Sequence, residues 1–239
     1  MSVRNAVRKL VRTVGYDLAK KGHVPHWDNF FEQIESRGLA PSQIFDVGVG
    51  YGTPALYSRF PDAELHMFDP SRECVPHATR IVHERRNATF YPVALGSKDD
   101  TASLTTLKND IEAASFYPSA RDPDQDSYPV PVRRFDGLIT EIKSPSLCKI
   151  DAQGFEIEII HGMGERAKEV DFYIVESALQ KANGGAPEFC DLQELMTKLG
   201  FRLFEIGAFI RRPRDGVLAQ IDAVYVNHCS PLRENKGWT

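Results

Sequence analysis

Several features that identify large protein classes are missing from this sequence. Its four cysteines are widely spaced and form no Cys-x-x-Cys pair, which argues against a zinc site and against a disulfide framework. No apolar run reaches the about 18 residues that cross a bilayer, and no signal peptide is evident. The formal net charge is only −4, so nothing attracts the whole chain to nucleic acid. We therefore expect a protein of the reducing cytoplasm that neither spans a membrane nor is secreted, with no nucleic-acid partner.

What the sequence does contain is a glycine-rich turn directly after an apolar run. The run ends in Asp46, and glycines then occupy alternate positions at Gly48, Gly50 and Gly52. Thr53 and the proline after it are typical of a helix N-cap and first helical position. Because glycine allows positive φ and close approach to a ligand, this strand, turn and helix should present free backbone N–H groups and a carboxylate to a small molecule.

The spacing of this turn indicates which small molecule it binds. Dinucleotide sites use G-x-G-x-x-G and hold a pyrophosphate, whereas the spacing here is G-x-G-x-G with Asp46 at the entrance. That carboxylate would repel a pyrophosphate and attract a sulfonium or ammonium group. Asp69 follows the next apolar run and is placed to bind two ribose hydroxyls. We interpret the site as one for S-adenosylmethionine; the alternative is that the turn and Asp69 merely end two strands.

Three further motifs carry a family resemblance. Residues 149–156 read K-I-D-A-Q-G-F-E, residues 93–97 read V-A-L-G-S, and residues 134–136 read R-F-D. With the glycine turn, they resemble the FkbM family of S-adenosylmethionine-dependent methyltransferases from about Ile44 to Asn227. Asp69 stands where that family often has glutamate. The resemblance implies a methyltransferase, and it adds the segment after the third strand to the cofactor site, namely Ala94 and Leu95.

The order of predicted elements agrees with an α/β fold. Strands and helices alternate after residue 42, which is typical of a parallel sheet. Strands are predicted at 43–47, 65–69, 88–93, 147–151, 171–177, 201–207 and 219–227, and helices near 27–38, 54–60, 72–85, 154–163 and 187–199. The resemblance implies the Rossmann-like, doubly wound, seven-stranded class I methyltransferase fold, with Ile221–Asn227 antiparallel at the sheet edge. We expect this domain over residues 41–239, after an N-terminal helical extension over residues 1–40.

Two segments do not fit the alternation. Between residues 96 and 135, extended stretches at 101–107 and 128–133 flank a polar excursion that is either a solvated loop or, as we expect, a wall of the acceptor pocket. Residues 2–20 form a predicted basic amphipathic helix. Its apolar stripe packs either on the domain or on a second subunit, or the helix lies on an anionic membrane as a peripheral contact.

Acidic residues at the predicted strand ends are the candidates for chemistry. Asp46 and Asp69 are assigned to the cofactor, and Asp151 is the first candidate for general base or acceptor orienter. Glu176 is the second catalytic candidate. Glu156 is the third, although it is equally suited to stabilising the N-terminus of its helix. Two carboxylates are too few to predict a metal.

These residues predict an O-methyltransferase that acts on a hydroxyl of a sugar, glycan or related natural product. The acceptor class is what the resemblance implies, whereas the methyl donor follows from the residues. The alternatives are an NAD-dependent oxidoreductase, which would need the dinucleotide spacing, and a non-catalytic subunit that keeps the cofactor fold. The sequence leaves the oligomeric state open.

Overall fold

The computed structural model describes residues 10–11, 13, 19, 22–107, 110–117, 125–180 and 185–234. The predicted basic helix over residues 2–20 lies almost wholly outside them, so its contact with the domain, a subunit or a membrane stays a prediction. The division at residue 40 also stays a prediction. No helix within the described ranges is both long and apolar enough to cross a bilayer.

The described residues form six α-helices and eleven strands. The helices are α1 (Trp27–Glu35), α2 (Pro54–Arg59), α3 (Val75–Glu84), α4 (Phe135–Leu138), α5 (Glu156–Met163) and α6 (Phe189–Lys198). The strands are β1 (Gln43–Val47), β2 (Glu64–Phe68), β3 (Ala88–Tyr91), β4 (Ala94–Leu95), β5 (Asp100–Leu107), β6 (Asp110–Ser115), β7 (Gln125–Arg133), β8 (Ser146–Ile150), β9 (Phe172–Ala178), β10 (Phe201–Arg211) and β11 (Leu218–Asn227). All seven predicted strands and all five predicted helices are present near their predicted positions.

Seven strands form one large sheet in the order β10-β11-β9-β8-β1-β2-β3. The pairings β8–β9, β8–β1, β1–β2 and β2–β3 are parallel, whereas β11 pairs antiparallel with β9 and β10. The chain moves outward from β1 through β2 to β3 and then returns to β8 on the other side of β1. This reversal creates a switch point between β1 and β8, where ligands bind in doubly wound folds. The predicted fold class is confirmed.

The position of the last strand corrects one expectation. β11 is antiparallel as predicted, but it lies inside the sheet between β9 and β10, and β10 occupies the edge. Burial explains the difference, since residues 223–226 are completely or almost completely covered while residues 209–211 are exposed. The apolar run of β11 is better satisfied between two neighbours than at an edge.

Both faces of the large sheet are covered, which explains why β1 and β8 are buried at every position. On one face, α1 packs Phe30, Phe31 and Ile34 against the sheet together with residues of α2 and α3. On the other face, α5 and α6 contribute Ile160 and Met196. The helices therefore leave only the ends of the strands open to a ligand.

A second sheet, which the sequence did not predict as such, has the order β4-β7-β5-β6. The extended stretches predicted at 101–107 and 128–133 are its antiparallel pair β5 and β7. Part of the stretch interpreted as a polar excursion is β6, paired with β5. Residues 108–109 and 118–124 of that excursion lie outside the described residues. The second sheet places β6 over the carboxyl end of the large sheet.

Gly162 marks the closest approach between α5 and the chain after β4. A Cβ atom added there would lie 2.0 Å from the carbonyl oxygen of Gly96, a backbone atom that cannot yield without moving the strand end. Gly162→Ala should therefore lower the free energy of unfolding by about 1–3 kcal/mol, measured by urea denaturation.

Gly137 in α4 provides the matched control. A Cβ atom added there meets nothing within 4 Å, and alanine favours a helix more than glycine does. Gly137→Ala should leave stability unchanged or raise it. Equal losses in both variants would show that the contact at Gly162 does not limit packing.

Candidate active site

A cavity of about 430 Å³ opens at the carboxyl ends of β1, β2, β8 and β9. Its volume is in the range of small-molecule sites. Its floor is the glycine turn after β1, and its walls come from the residues after β2 and β8, from β4 and β6, and from Trp27 at the start of α1. The cavity therefore joins the large sheet to the second sheet at the predicted switch point.

Asp69 holds the glycine turn in shape. Its Oδ2 accepts hydrogen bonds from the N–H groups of Val49 and Gly50 at 2.9 and 3.0 Å. Its Oδ1 accepts from the N–H and the hydroxyl of Ser71 at 2.8 and 2.7 Å. A carboxylate has about four acceptor sites, and the protein occupies four here. The N–H groups of Val49 and Gly50 are therefore not free as expected, whereas Asp69 lines the cavity and its assignment to the ribose stays a prediction.

Gly48 allows the turn to touch the segment after β8. Its φ is 76°, a value that glycine adopts readily. A Cβ atom there would lie 1.7 Å from the carbonyl oxygen of Asp151. Because no side chain fits, Gly48 is required both for its backbone conformation and for this contact between the predicted cofactor turn and the first catalytic candidate.

Asp46 does not face the cavity, which corrects the prediction that it meets the cofactor directly. It is fully buried. Its Oδ2 accepts from the hydroxyls of Thr53, at 2.7 Å, and Tyr57, and its Oδ1 lies 3.3 Å from the Nζ of Lys149. Thr53 is the N-cap residue of α2 as predicted, but its side chain binds Asp46 instead of a helix N–H group. Asp46 thus stabilises the turn from beneath.

Lys149 links this buried carboxylate to the cavity. Its Nζ donates to the carbonyl oxygen of Gly48 at 2.7 Å and lies 3.5 Å from Oδ2 of Asp151. Burial lowers the pKa of Lys149, but the nearby Asp46 and Asp151 carboxylates outweigh burial and hold the pKa above its ordinary value. The ammonium group therefore stays charged and binds the end of β1 to the end of β8.

Asp151 and Glu176, the first two catalytic candidates, meet at the cavity wall. The amide Nε2 of Gln153 donates to Oδ1 of Asp151 at 3.2 Å and to Oε2 of Glu176 at 3.1 Å. Burial raises the pKa of Glu176 to about 9, and the charge of Asp151 and a hydrogen bond with it act in the same direction. Glu176 thus keeps its proton at neutral pH, beside Asp151.

Glu156, the third catalytic candidate, is turned away from the cavity. Its Oε1 accepts from the N–H groups of Ala152 and Gly154, both at 3.0 Å, and only 6% of the residue is exposed. Burial raises its pKa to about 7. Its contacts agree with the alternative structural interpretation, since it fixes the loop that leads into α5. Its assignment as a candidate base is corrected.

Several cavity residues were missed by reasoning from the sequence. Trp27 donates from its indole Nε1 to Asp222 at 2.7 Å, and burial raises the pKa of that carboxyl. Asp222 is the cross-strand partner of Glu176. Asp222 could have been noticed in the sequence, because it is a carboxylate inside the apolar stretch that forms β11. The sequence gives no such signal for Trp27, because its position over the cavity depends on how α1 packs.

Part of the polar excursion lines the cavity, as predicted. Residues 110–114 of β6 and Phe116 after it form the outer wall. Five carboxylates line the cavity in the described part of the chain, against one ammonium group, that of Lys149. The five are Asp69, Asp110, Glu112, Asp151 and Glu176. A positively charged ligand suits this lining, and a pyrophosphate does not.

Comparison with known proteins agrees with this geometry. Residues 46–203 match the sequence model of the methyltransferase FkbM domain. The chain belongs to the FkbM methyltransferase family. The matched domain is a methyltransferase domain, and membership of this family supports S-adenosylmethionine as the cofactor.

Two individual relatives illustrate the family. The hexuronic acid methyltransferase AglP of Haloferax volcanii is 24% identical over 135 residues, which are 56% of this chain and 54% of the relative. The chain thus spans about half the length of that curated relative. The crystal structure of methyltransferase FkbM from Methylobacillus flagellatus KT aligns with a TM-score of 0.51 and 14% identity, covering 78% of this chain and 44% of that one. At this identity the structural likeness shows the fold alone.

The cavity fits S-adenosylmethionine. Its acidic lining suits a ligand that carries a sulfonium and an ammonium group. Of the predicted cofactor residues, all but Asp46 line the cavity: Gly48, Gly50, Gly52, Thr53, Asp69, Ala94 and Leu95. These residues would hold the cofactor, which supplies the methyl group when bound.

The buried contact between Lys149 and Asp46 can be tested by removing one partner. Lys149→Met should lower the free energy of unfolding by about 3–5 kcal/mol, because it leaves Asp46 buried without a cation. The double variant Asp46→Asn/Lys149→Met should recover much of that loss in urea denaturation. Lys143→Met is the control, because Lys143 pairs with Glu64 while half exposed, and its loss should stay below about 1 kcal/mol. Similar losses for both lysines would contradict the role given to Lys149.

The raised pKa of Glu176 predicts a pH-dependent stability. The unfolded chain ionises this carboxyl in the ordinary range, whereas the folded chain keeps it protonated up to about pH 9. Its contribution to stability is therefore complete at low pH and is lost as the pH rises through about 9. The glutamine in Glu176→Gln cannot ionise. The Tm of this variant minus the Tm of the wild type should therefore increase between pH 5 and pH 9.

The control for this series is the exposed Glu165. Its side chain is 86% exposed, and Glu165→Gln should differ from the wild type by a constant, small amount over the same pH range. A Tm difference for Glu176→Gln that does not change with pH would contradict the raised pKa.

Proposed function

We propose that this chain is an S-adenosylmethionine-dependent O-methyltransferase that acts on a hydroxyl of a sugar, glycan or related natural product. The observation that carries the proposal is the pair formed by Asp151 and Glu176 at the wall of the cavity, bridged by Gln153. A paired carboxyl group beside a cofactor turn is the device that a hydroxyl acceptor needs, because its proton must leave during methylation.

The timing of proton loss follows from acid strengths. An alcohol with a pKa near that of water, about 15.7, lies about 12 units above an ordinary aspartate, which corresponds to about 16 kcal/mol. Ionisation before methyl transfer is therefore too costly. We assign Asp151 as the group that accepts the proton while the acceptor oxygen gains its methyl group, and Glu176 as its partner. The fully ionised pair is the stronger base, so the rate should rise with pH towards about 9.

The walls of the cavity support a sugar as the acceptor. Trp27 and Phe116 bring aromatic rings to it, and such rings pack against the apolar C–H face of a sugar while carboxylates bind its hydroxyls. The relative AglP is a hexuronic acid methyltransferase, which supports the same class. The two buried and two exposed free cysteines agree with a reducing cytoplasm. We keep the segment 2–20 as a proposed contact with the domain, a second subunit or a membrane surface.

The NAD-dependent alternative has less support than methyl transfer. The glycine turn lacks the dinucleotide spacing, and the acidic lining of the cavity would repel a pyrophosphate. The non-catalytic alternative requires an idle Asp151. Calorimetry and activity measurements separate the three possibilities.

The test begins with calorimetric titration of the wild-type chain. The demethylated cofactor, S-adenosylhomocysteine, should bind, and NAD should not. A radiolabelled methyl donor is then supplied with neutral sugars, hexuronic acids and glycans, and methylated product is identified by mass spectrometry. Failure to bind S-adenosylhomocysteine at millimolar concentration would remove the basis of the proposal.

The role of Asp151 is tested with the acceptor found in that screen. Asp151→Asn should lower kcat by about 10²–10⁴-fold, the contribution expected of general base catalysis. Its Kd for S-adenosylhomocysteine should change by less than about 10-fold, because the glycine turn is kept. Glu165→Gln, on the exposed surface, is the matched control and should leave both values unchanged. Unchanged kcat in Asp151→Asn would sink the base assignment while leaving the class intact.

A further inference from the structure

Gln153 has an unusual backbone. Its φ is 48°, and it is the one residue other than glycine with positive φ among the residues that the structure describes. Side chains with a Cβ atom adopt this conformation at an energetic cost, and such residues cluster at functional sites. A glycine would fit this position more easily, so the glutamine side chain is the feature to explain.

The amide of Gln153 is fully occupied by the two candidate carboxyl groups. It donates one hydrogen bond to Oδ1 of Asp151 and one to Oε2 of Glu176. An amide nitrogen carries two hydrogens, so these two bonds use its whole donor capacity. The left-handed backbone turns the side chain back towards the strand ends, where both acceptors lie.

The backbone of Gln153 is held from both sides. The hydroxyl of Ser115, at the end of β6, donates to the carbonyl oxygen of Gln153 at 2.8 Å and accepts from the N–H of Tyr117. On the other side, the N–H of Gly154 donates to Glu156. The second sheet and α5 therefore fix the strained residue between them.

We infer that Gln153 is a positioning residue for the proposed methyl transfer. It holds Asp151 and Glu176 together so that Asp151 presents an oxygen to the acceptor. The inference rests on the proposed function for its catalytic consequence, but the holding of the two carboxyl groups stands on geometry in the chain itself.

The charges around the pair determine what loss of the amide does. Lys149 faces Asp151 from β8, whereas Asp222 on β11 and Glu156 on α5 face Glu176 with like charge. The hydrogen bond that the amide donates to Glu176 favours the ionised form of that carboxyl. Without this bond, the pKa of Glu176 should rise further.

Gln153→Gly is the variant that separates positioning from folding. It removes the amide and relieves the backbone, so the chain should stay folded. Expected results are a kcat at least about 10-fold lower, a rise of the rate with pH that is displaced to higher pH by about one unit, and a KM for the acceptor within about 3-fold of the wild type. Asparagine tolerates the same φ but has a shorter side chain. The kcat of Gln153→Asn should therefore lie between that of the wild type and that of Gln153→Gly.

A readout without substrate tests the same inference. Carbon-13 NMR of chain labelled at the glutamate carboxyls follows the titration of Glu176, whose signal is assigned by its loss in Glu176→Gln. In Gln153→Gly this titration should move to higher pH, whereas the exposed Glu165 signal should not move. An unchanged titration of Glu176, or an unchanged kcat and pH profile, would overturn the inference. A wild-type chain that binds no S-adenosylhomocysteine would instead overturn the proposed function and leave the NMR result standing.

Discussion

The ammonium group of Lys149 is the interaction on which the site depends. It lies between Asp46 and Asp151 and also holds the carbonyl oxygen of Gly48, so one buried cation fixes the ends of β1 and β8 and the turn between them. A buried ammonium group needs such partners, because without them desolvation would favour its neutral form. On one side Lys149 contacts Asp46, which is buried beneath the turn and has a structural role. On the other side it contacts Asp151, which lines the cavity and is the candidate for chemistry.

Much of the fold could be predicted because its signals are local. Apolar strands, glycine ends and helical stripes predicted every strand of the large sheet, and every described α-helix except α4, to within a few residues. The glycine turn and the K-I-D motif led to the correct strand ends, since the carboxyl ends of parallel strands meet by geometry. Glu176 was found in the same way, because it ends an apolar strand next to β8 in the sheet.

The errors came from contacts that sequence spacing does not contain. Asp46 and Lys149 are cross-strand partners, and their pairing becomes visible only once β8 is known to lie beside β1. Asp69 was assigned to the cofactor and Glu156 to catalysis, yet three backbone N–H groups and one hydroxyl bind the first and two backbone N–H groups bind the second. β6 was missed because its alanines are poor strand formers and its pairing with β5 decides its conformation.

The two sheets line different parts of the cavity. The large sheet lines the side predicted to bind the methyl donor, largely with the backbone of the turn after β1, and changes there disturb the core. The opposite wall is β6, an edge strand of the smaller sheet that carries the small side chains Ala113 and Ala114. Substitutions there alter the shape of the chamber without touching the buried lysine. We therefore expect changes in β6 to alter which acceptors the cavity admits.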